Sequence, residues 1–232
     1  MGLFYGFDIY YLLLVLPAFL FSLYAQFKVK GTFSRYSKVH NSKGMTGADI
    51  ARTILDRSGL YDVRIEAYPG ELTDHYDPRT KVVRLSQSVY GSTSVAAIGV
   101  AAHETGHAIQ HKDEYGPLVL RSTLVPVANI GSSVGPTMAI IGLMFSIPFI
   151  INLGIILFGA AVLFYLVTLP VEFNASNRAI RTLEDTGMIN YDEIDPAKKV
   201  LRAAAMTYVA SAAVAIANLL RLILLSKSRR DD

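Results

Sequence analysis

The 232-residue chain has no cysteine, no tryptophan and only five histidines. Without cysteine there is no disulfide framework, no thiolate zinc ribbon and no thiol nucleophile, which fits a reducing compartment. Charge of either sign is thin: 22 Lys and Arg stand against 19 Asp and Glu, a formal net charge of +3. No basic patch is interleaved with aromatics, so nucleic acid is not expected as a partner. What is plentiful is apolar: 52% of the residues, gathered in runs long enough to leave water for lipid.

Residues 9–27, IYYLLLVLPAFLFSLYAQF, have spanning length with tyrosines near the edges. A cleaved signal peptide would want a basic leading region and a small-residue cleavage site, and the flank carries only Asp8. Lys28, Lys30, Arg35, Lys38 and Lys43 follow at once. By the positive-inside rule the N-terminus is outside and the next segment cytoplasmic, as in a signal anchor. Leu118 to Phe145 is apolar but long for one straight span, and its first half carries Asn129, Gly131, Ser132, Ser133, Gly135 and Pro136. A helix beginning in the cytoplasm, or one broken at Gly135-Pro136, would account for that. Ile147 to Leu169 is a cleaner span, and the short connection makes the two a transmembrane hairpin. Residues 200–225 are also long enough to cross, but crossing would leave Lys227, Arg229 and Arg230 outside. A helix buried against the catalytic domain is the other reading, so three or four spans are expected.

The chemistry concentrates in Ala101-Ala102-His103-Glu104-Thr105-Gly106-His107-Ala108, an H-E-x-x-H motif in a helical run from Ser94 to about Lys112. Histidines four apart share one helix face, so His103 and His107 can converge on one zinc ion. Glu104 then projects beside the metal and can take a proton from water. Small flanking residues let this helix pack closely, and Gly106 is otherwise a costly choice inside a helix. His111 reads as the helix end.

Around the motif, residues 31–45 read as a polar linker. Thr46 with Asp49 caps an amphipathic helix that ends at Gly59, and Val63, Ile65 and Ala67 alternate as in a strand. Glu71–Tyr76 and Lys81–Leu85, joined by Asp77-Pro78-Arg79-Thr80, form a hairpin, with Lys81–Leu85 a candidate edge strand beside the motif helix.

A catalytic zinc takes three protein ligands and leaves one position open. His40 and His75 lie in loop-like sequence. Glu172, in Leu169-Pro170-Val171-Glu172-Phe173-Asn174-Ala175-Ser176-Asn177-Arg178-Ala179, is the better third ligand. Pro170 reads as a helix start, which would set the carboxylate in a first turn. Two spans between His103 and Glu172 return both to one compartment. Arg178 and Tyr208 are possible oxyanion donors, with structural hydrogen bonding the plainer role for each.

The order of a lone N-terminal span, A-A-H-E-T-G-H-A-I-Q, a hairpin and P-V-E-F-N-A-S-N-R-A closely resembles the YugP-like neutral zinc metallopeptidases over nearly the whole chain. It is distantly similar to the HtpX and CAAX prenyl protease group, where a glutamate beyond a transmembrane hairpin completes the site within an E-x-x-x-D pattern. Glu172 matches that glutamate, but Ser176 stands where the aspartate would be, so Asn174 or Ser176 would orient a histidine instead. The expected fold is a mainly α membrane protein with a small α+β zincin-like domain carrying the motif helix. The expected parts are an anchor (1–30), a cytoplasmic zincin-like subdomain (31–116), a transmembrane hairpin (117–169) and a C-terminal helical part supplying the third ligand (170–232). The expected function is a multi-pass, zinc-dependent metallopeptidase of the cell membrane, cutting protein or peptide substrates at the cytoplasmic surface. Glu104 is its general base. Cleavage within the bilayer, or a non-catalytic adaptor with structural zinc, are the alternatives. The charged stretch Lys112-Asp113-Glu114 leaves the motif helix too short to be a span.

Overall fold

The computed structural model describes residues 8–228. Helix α1 (Leu16–Tyr36) is preceded by a π-helical turn, Tyr11–Val15, in which the Leu16 N–H bonds the Tyr11 carbonyl. Such a turn suits Pro17, which has no N–H to give to the carbonyl four residues back. Then come α2 (Gly47–Arg57), β1 (Arg64–Tyr68), β2 (His75–Asp77), β3 (Val82–Ser86), the short α3 (Gln87–Tyr90) and α4 (Val95–Lys112). Three long helices follow: α5 (Gly116–Phe145), α6 (Pro148–Thr186) and α7 (Tyr191–Ser228). Four helices, Tyr11–Tyr36, α5, α6 and α7, are long and apolar enough to cross a membrane. This is a mainly α membrane protein with a small mixed sheet.

The chain falls into two compact units, divided inside the long helices. One comprises residues up to Gln26, Val119–Leu169 and Thr207 onward; the other comprises Phe27–Leu118 and Pro170–Met206.

In the first unit, α5 and α6 pack through small residues. A Cβ on Gly135 would meet the Phe158 nitrogen at 2.8 Å and the Gly154 carbonyl oxygen at 2.9 Å. Gly131, Gly142 and Gly154 are equally crowded by facing backbone, a pattern of small residues that lets membrane helices touch. The glycines that suggested a break at Gly135-Pro136 therefore serve packing, and α5 runs unbroken through Pro126 and Pro136. Ser132 and Ser133 return their hydroxyls to the Asn129 carbonyl, at 3.2 and 2.7 Å, so neither leaves a bare polar group. Ala139, Phe158, Ala161, Val162, Ala215 and Leu222 form the core, which draws in α7.

In the second unit, α2 begins with a capping box: Thr46 accepts from the Asp49 N–H, and Asp49 accepts from the Thr46 N–H. Buried α4 separates two cores. Ile50, Ile54, Ile98, Leu183, Ile194 and Leu201 pack on one side, and Leu55, Val63, Val83, Leu85, Val89 and Ala97 on the other. An alanine-rich helix apolar all round can be enclosed in this way. The segment after α1 is less free than its polar composition suggests. Residues 31–36 continue α1, and the rest is held along the entry to α4 by Asn41 N–H to the Thr93 carbonyl and Val95 N–H to the Val39 carbonyl.

The strand order is β1-β3-β2, with β3 parallel to β1 (Ile65 beside Val83) and antiparallel to β2 (Tyr76 beside Val83). The hairpin forms, but β3 is the central strand, so Lys81–Leu85 is not an edge. Val82, Val83, Leu85 and Ser86 are all buried, as expected of a strand covered on both faces. Two expectations about helices also change. Pro170 lies inside α6 rather than opening a helix, and residues 200–225 belong to one 38-residue helix. At 1.5 Å per residue that helix is about 57 Å long, roughly twice the apolar thickness of a bilayer. Its residues up to Met206 pack in the second unit and those from Thr207 in the first, so the stretch 200–225 is shared between the two units.

Candidate metal centre

The Ser94 hydroxyl caps α4 by accepting from the Ala97 N–H at 3.2 Å, which fixes where the helix starts and so which way His103 and His107 face. Three residues on from His103, Gly106 meets α6. A Cβ there would lie 2.8 Å from the Ala175 carbonyl oxygen and 3.3 Å from its carbon, so only glycine allows this approach. The close crossing brings Glu172, one turn before Ala175, over the histidine face.

His103 Nε2 lies 3.3 Å from Glu172 Oε2, and His107 Nε2 lies 3.5 Å from the same oxygen. The two imidazoles stand edge to face, with centroids 4.7 Å apart. Charge-assisted hydrogen bonds would close to about 2.8 Å. Tetrahedral zinc with bonds of about 2.0–2.1 Å instead keeps its ligand atoms about 3.3–3.4 Å apart. The donor set and its two histidine–carboxylate separations fit zinc. The Glu172 side chain is only 3% exposed, and each histidine 12%.

The far side of each ring is held. Gln110, fully buried, places its NH₂ 2.8 Å from the Val171 carbonyl oxygen, which can only accept. Its other end must therefore be the amide oxygen, which faces His107 Nδ1 at 3.0 Å. His107 thus carries its proton on Nδ1 and leaves the Nε2 lone pair for a metal. The same NH₂ reaches Asn174 Oδ1 at 3.0 Å. That oxygen also accepts from Arg178 Nε at 2.8 Å, and Arg178 pairs with Asp113 at 2.6 Å. Ser176 Oγ lies 3.1 Å from His103 Nδ1. Of the two candidates for orienting a histidine, Ser176 does so directly and Asn174 acts through Gln110. Arg178 is engaged in this network, and Tyr208 belongs to the other unit.

Burial holds the Glu104 carboxyl above its ordinary value; His103 and His107 draw it down, while Glu172 and Asp74 push it up again. Burial also acts upward on Glu172, but the attraction of the facing His103 and His107 rings outweighs it and keeps that carboxyl well below the usual range. For His107, burial acts downward, and Glu172 and Glu104 overcome it to raise the ring above its ordinary value.

The three remaining histidines are elsewhere. His40 contacts Thr93, His75 the Thr73 carbonyl, and His111 the Tyr76 hydroxyl at 2.9 Å. Gln110 is the functional residue that sequence reasoning missed. Its one signal is the i+3 spacing from His107, which puts it beside that ring.

A profile for the family described as "Putative neutral zinc metallopeptidase" matches residues 11–227. The chain is similar to "Putative membrane protease YugP" of Bacillus subtilis (strain 168), with 51% identity over 222 residues, 96% of this chain and 99% of that protein. No solved structure matches it.

Proposed function

The chain belongs to the family described as "Putative neutral zinc metallopeptidase", and from that premise we propose that it is a membrane-embedded zinc endopeptidase acting at the cytoplasmic membrane surface. His103, His107 and Glu172 are the ligands in this reading, and what carries it is the pair of 3.3 and 3.5 Å separations between the two Nε2 atoms and Glu172 Oε2. Zinc, when bound, supplies a Lewis acid that activates water and polarises the peptide carbonyl. Glu104 is the general base: its carboxylate takes the proton of the attacking water and passes it to the leaving amine. Burial, by raising that carboxyl, brings its proton affinity nearer the working pH. Gln110 and Ser176 hold the two rings.

All these residues lie in the second unit, and Glu172 and Ser176 come in α6 after its apolar run ends at Leu169, which supports cutting at the surface rather than within the bilayer. The five cations after the first span support the cytoplasmic side. A protein or peptide substrate, free or membrane-associated, is the partner. The presence of Glu104 beside the histidines favours catalysis over a purely structural zinc.

The test is Glu104→Gln in the full chain, reading zinc by elemental analysis and cleavage on casein and membrane proteins. One zinc per chain with cleavage reduced at least about 10³-fold is expected. Retained turnover would refute the base, and Glu172→Ala retaining tight zinc would refute the third ligand.

A further inference from the structure

Away from the metal centre, the second unit contains a cavity of about 630 Å³ between the last turns of α1 and the first part of α7. Each helix contributes one face at i, i+3, i+4, i+7 spacing: Lys28, Gly31, Thr32 and Arg35 from α1, and Lys199, Arg202, Ala203 and Met206 from α7. Lys199 is already paired with Asp195 at 2.6 Å. Arg202 shares the attraction of that one carboxylate, and Lys28 and Arg35 have none among the described residues, although all of these cations line one concavity. Mutual repulsion of three cations is destabilising unless an anion sits among them.

Level and lining narrow the anion. The apolar run of α1 ends at Phe27, and that of α7 begins just past Arg202. The cavity therefore opens where both helices leave hydrocarbon for the headgroup layer. Phe27, 74% exposed, Ala203 and Met206 give it an apolar floor, while Thr32 and Tyr36 add hydroxyls. A soluble phosphate has no use for such a floor, and an acidic peptide would need the mouth to face open water. A molecule with an anionic head and an acyl tail satisfies both halves. Gly31 supplies the room: a Cβ there meets nothing within 4 Å.

We propose that this groove binds an anionic phospholipid, its phosphodiester between Lys28 and Arg202 and its headgroup reaching toward Thr32, Tyr36 and Arg35. Basic pockets between membrane helices at headgroup level recognise lipids by this chemistry. The site is independent of the metal centre and of the catalytic reading.

Native mass spectrometry of the detergent-purified full chain tests it, with phosphatidylglycerol, phosphatidylcholine of the same acyl chains, and sn-glycerol 3-phosphate as probes. One phosphatidylglycerol is expected to be retained in preference to phosphatidylcholine. Arg202→Gln should weaken that retention about fivefold, as for one basic contact. Gly31→Leu should abolish the preference with no change in charge. That substitution enters open space and improves helix propensity, so misfolding does not explain a loss; unchanged zinc content checks this independently. The proposal is overturned if phosphatidylglycerol shows no preference, if Gly31→Leu retains it as well as the parent, or if sn-glycerol 3-phosphate displaces it at equal concentration.

Discussion

Gln110 commits both ends of its amide, one to the Val171 carbonyl and one to His107 Nδ1. Replacing it with leucine of similar volume removes the acceptor that fixes the ring's tautomer. Zinc affinity should then fall about 10–100-fold, measured by competition with a chromophoric chelator. An unchanged affinity would mean that packing alone holds the ring. The pair beneath it predicts a pH effect. The raised value of His107 means that its charged form stabilises the metal-free fold fully below the ordinary histidine value, and that this contribution is lost as pH rises through the raised value. Zinc requires the neutral ring, so its affinity should climb about tenfold per pH unit over the same range. Thermal unfolding and chelator competition at pH 6 and 8 should move in opposite directions: the metal-free protein less stable at pH 8, the metal tighter. His103, Glu104 and His107 were legible in sequence because helical periodicity converts spacing directly into a shared face. Gln110 was not, because the orientation of an amide depends on a carbonyl 61 residues away.

At the scale of elements, the site depends on how closely α4 and α6 cross. Gly106→Ala would relieve a helix-propensity penalty of about 1 kcal/mol. It would also force the Ala175 backbone away, at about 1–3 kcal/mol for overpacking. The overpacking term is the larger, and it moves the helix that carries Glu172. Gly106→Ala should therefore bind less than one zinc per chain after gel filtration, while Gly116→Ala, which enters open space, should bind a full equivalent. If Gly106→Ala binds as the parent does, the close crossing is not what sets the site. The sequence pointed to Glu172 for a reason the structure replaces. Pro170 does not start a helix, and the carboxylate arrives from the middle of a 39-residue one. Proline is an unreliable stop signal in helices of this kind, because neighbouring helices, side chains and local backbone adjustments re-satisfy the groups it frees. Strand β3 was misplaced at an edge because a hairpin read alone always has two edges. Its parallel pairing with β1 spans 18 residues of sequence, from Ile65 to Val83, and no local pattern encodes it. The near-continuous apolar run Val82-Val83-Arg84-Leu85 was the available hint.

For the whole molecule, the open question from sequence was where the chain ends. Asp8, ahead of the first span, accepts from Arg221 Nε at 2.8 Å and from its Nη2 at 2.6 Å, both within the first unit. Arg221 also lies 5.5 Å from the Tyr11 ring centre. The start of the first apolar helix is thus beside the end of the last, the arrangement expected of four crossings. Lys227 is then expected on the same side as Asp8, in apparent conflict with the positive-inside rule. The rule is one of bias, and the first helix usually dominates it. Five cations directly after the first span outnumber three at the far end, so the N-terminus and C-terminus outside, with the metal centre inside, is the expected arrangement. The lack of cysteine makes this directly measurable, because any introduced thiol is the sole target for a maleimide. In intact cells a membrane-impermeant maleimide should label Ser228→Cys, whereas Arg79→Cys, in the exposed turn between β2 and β3, should react only after permeabilisation. The reverse pattern would turn the protein over and put the site outside the cell. Labelling of both from one side would require an odd number of crossings and contradict the Asp8–Arg221 pairing.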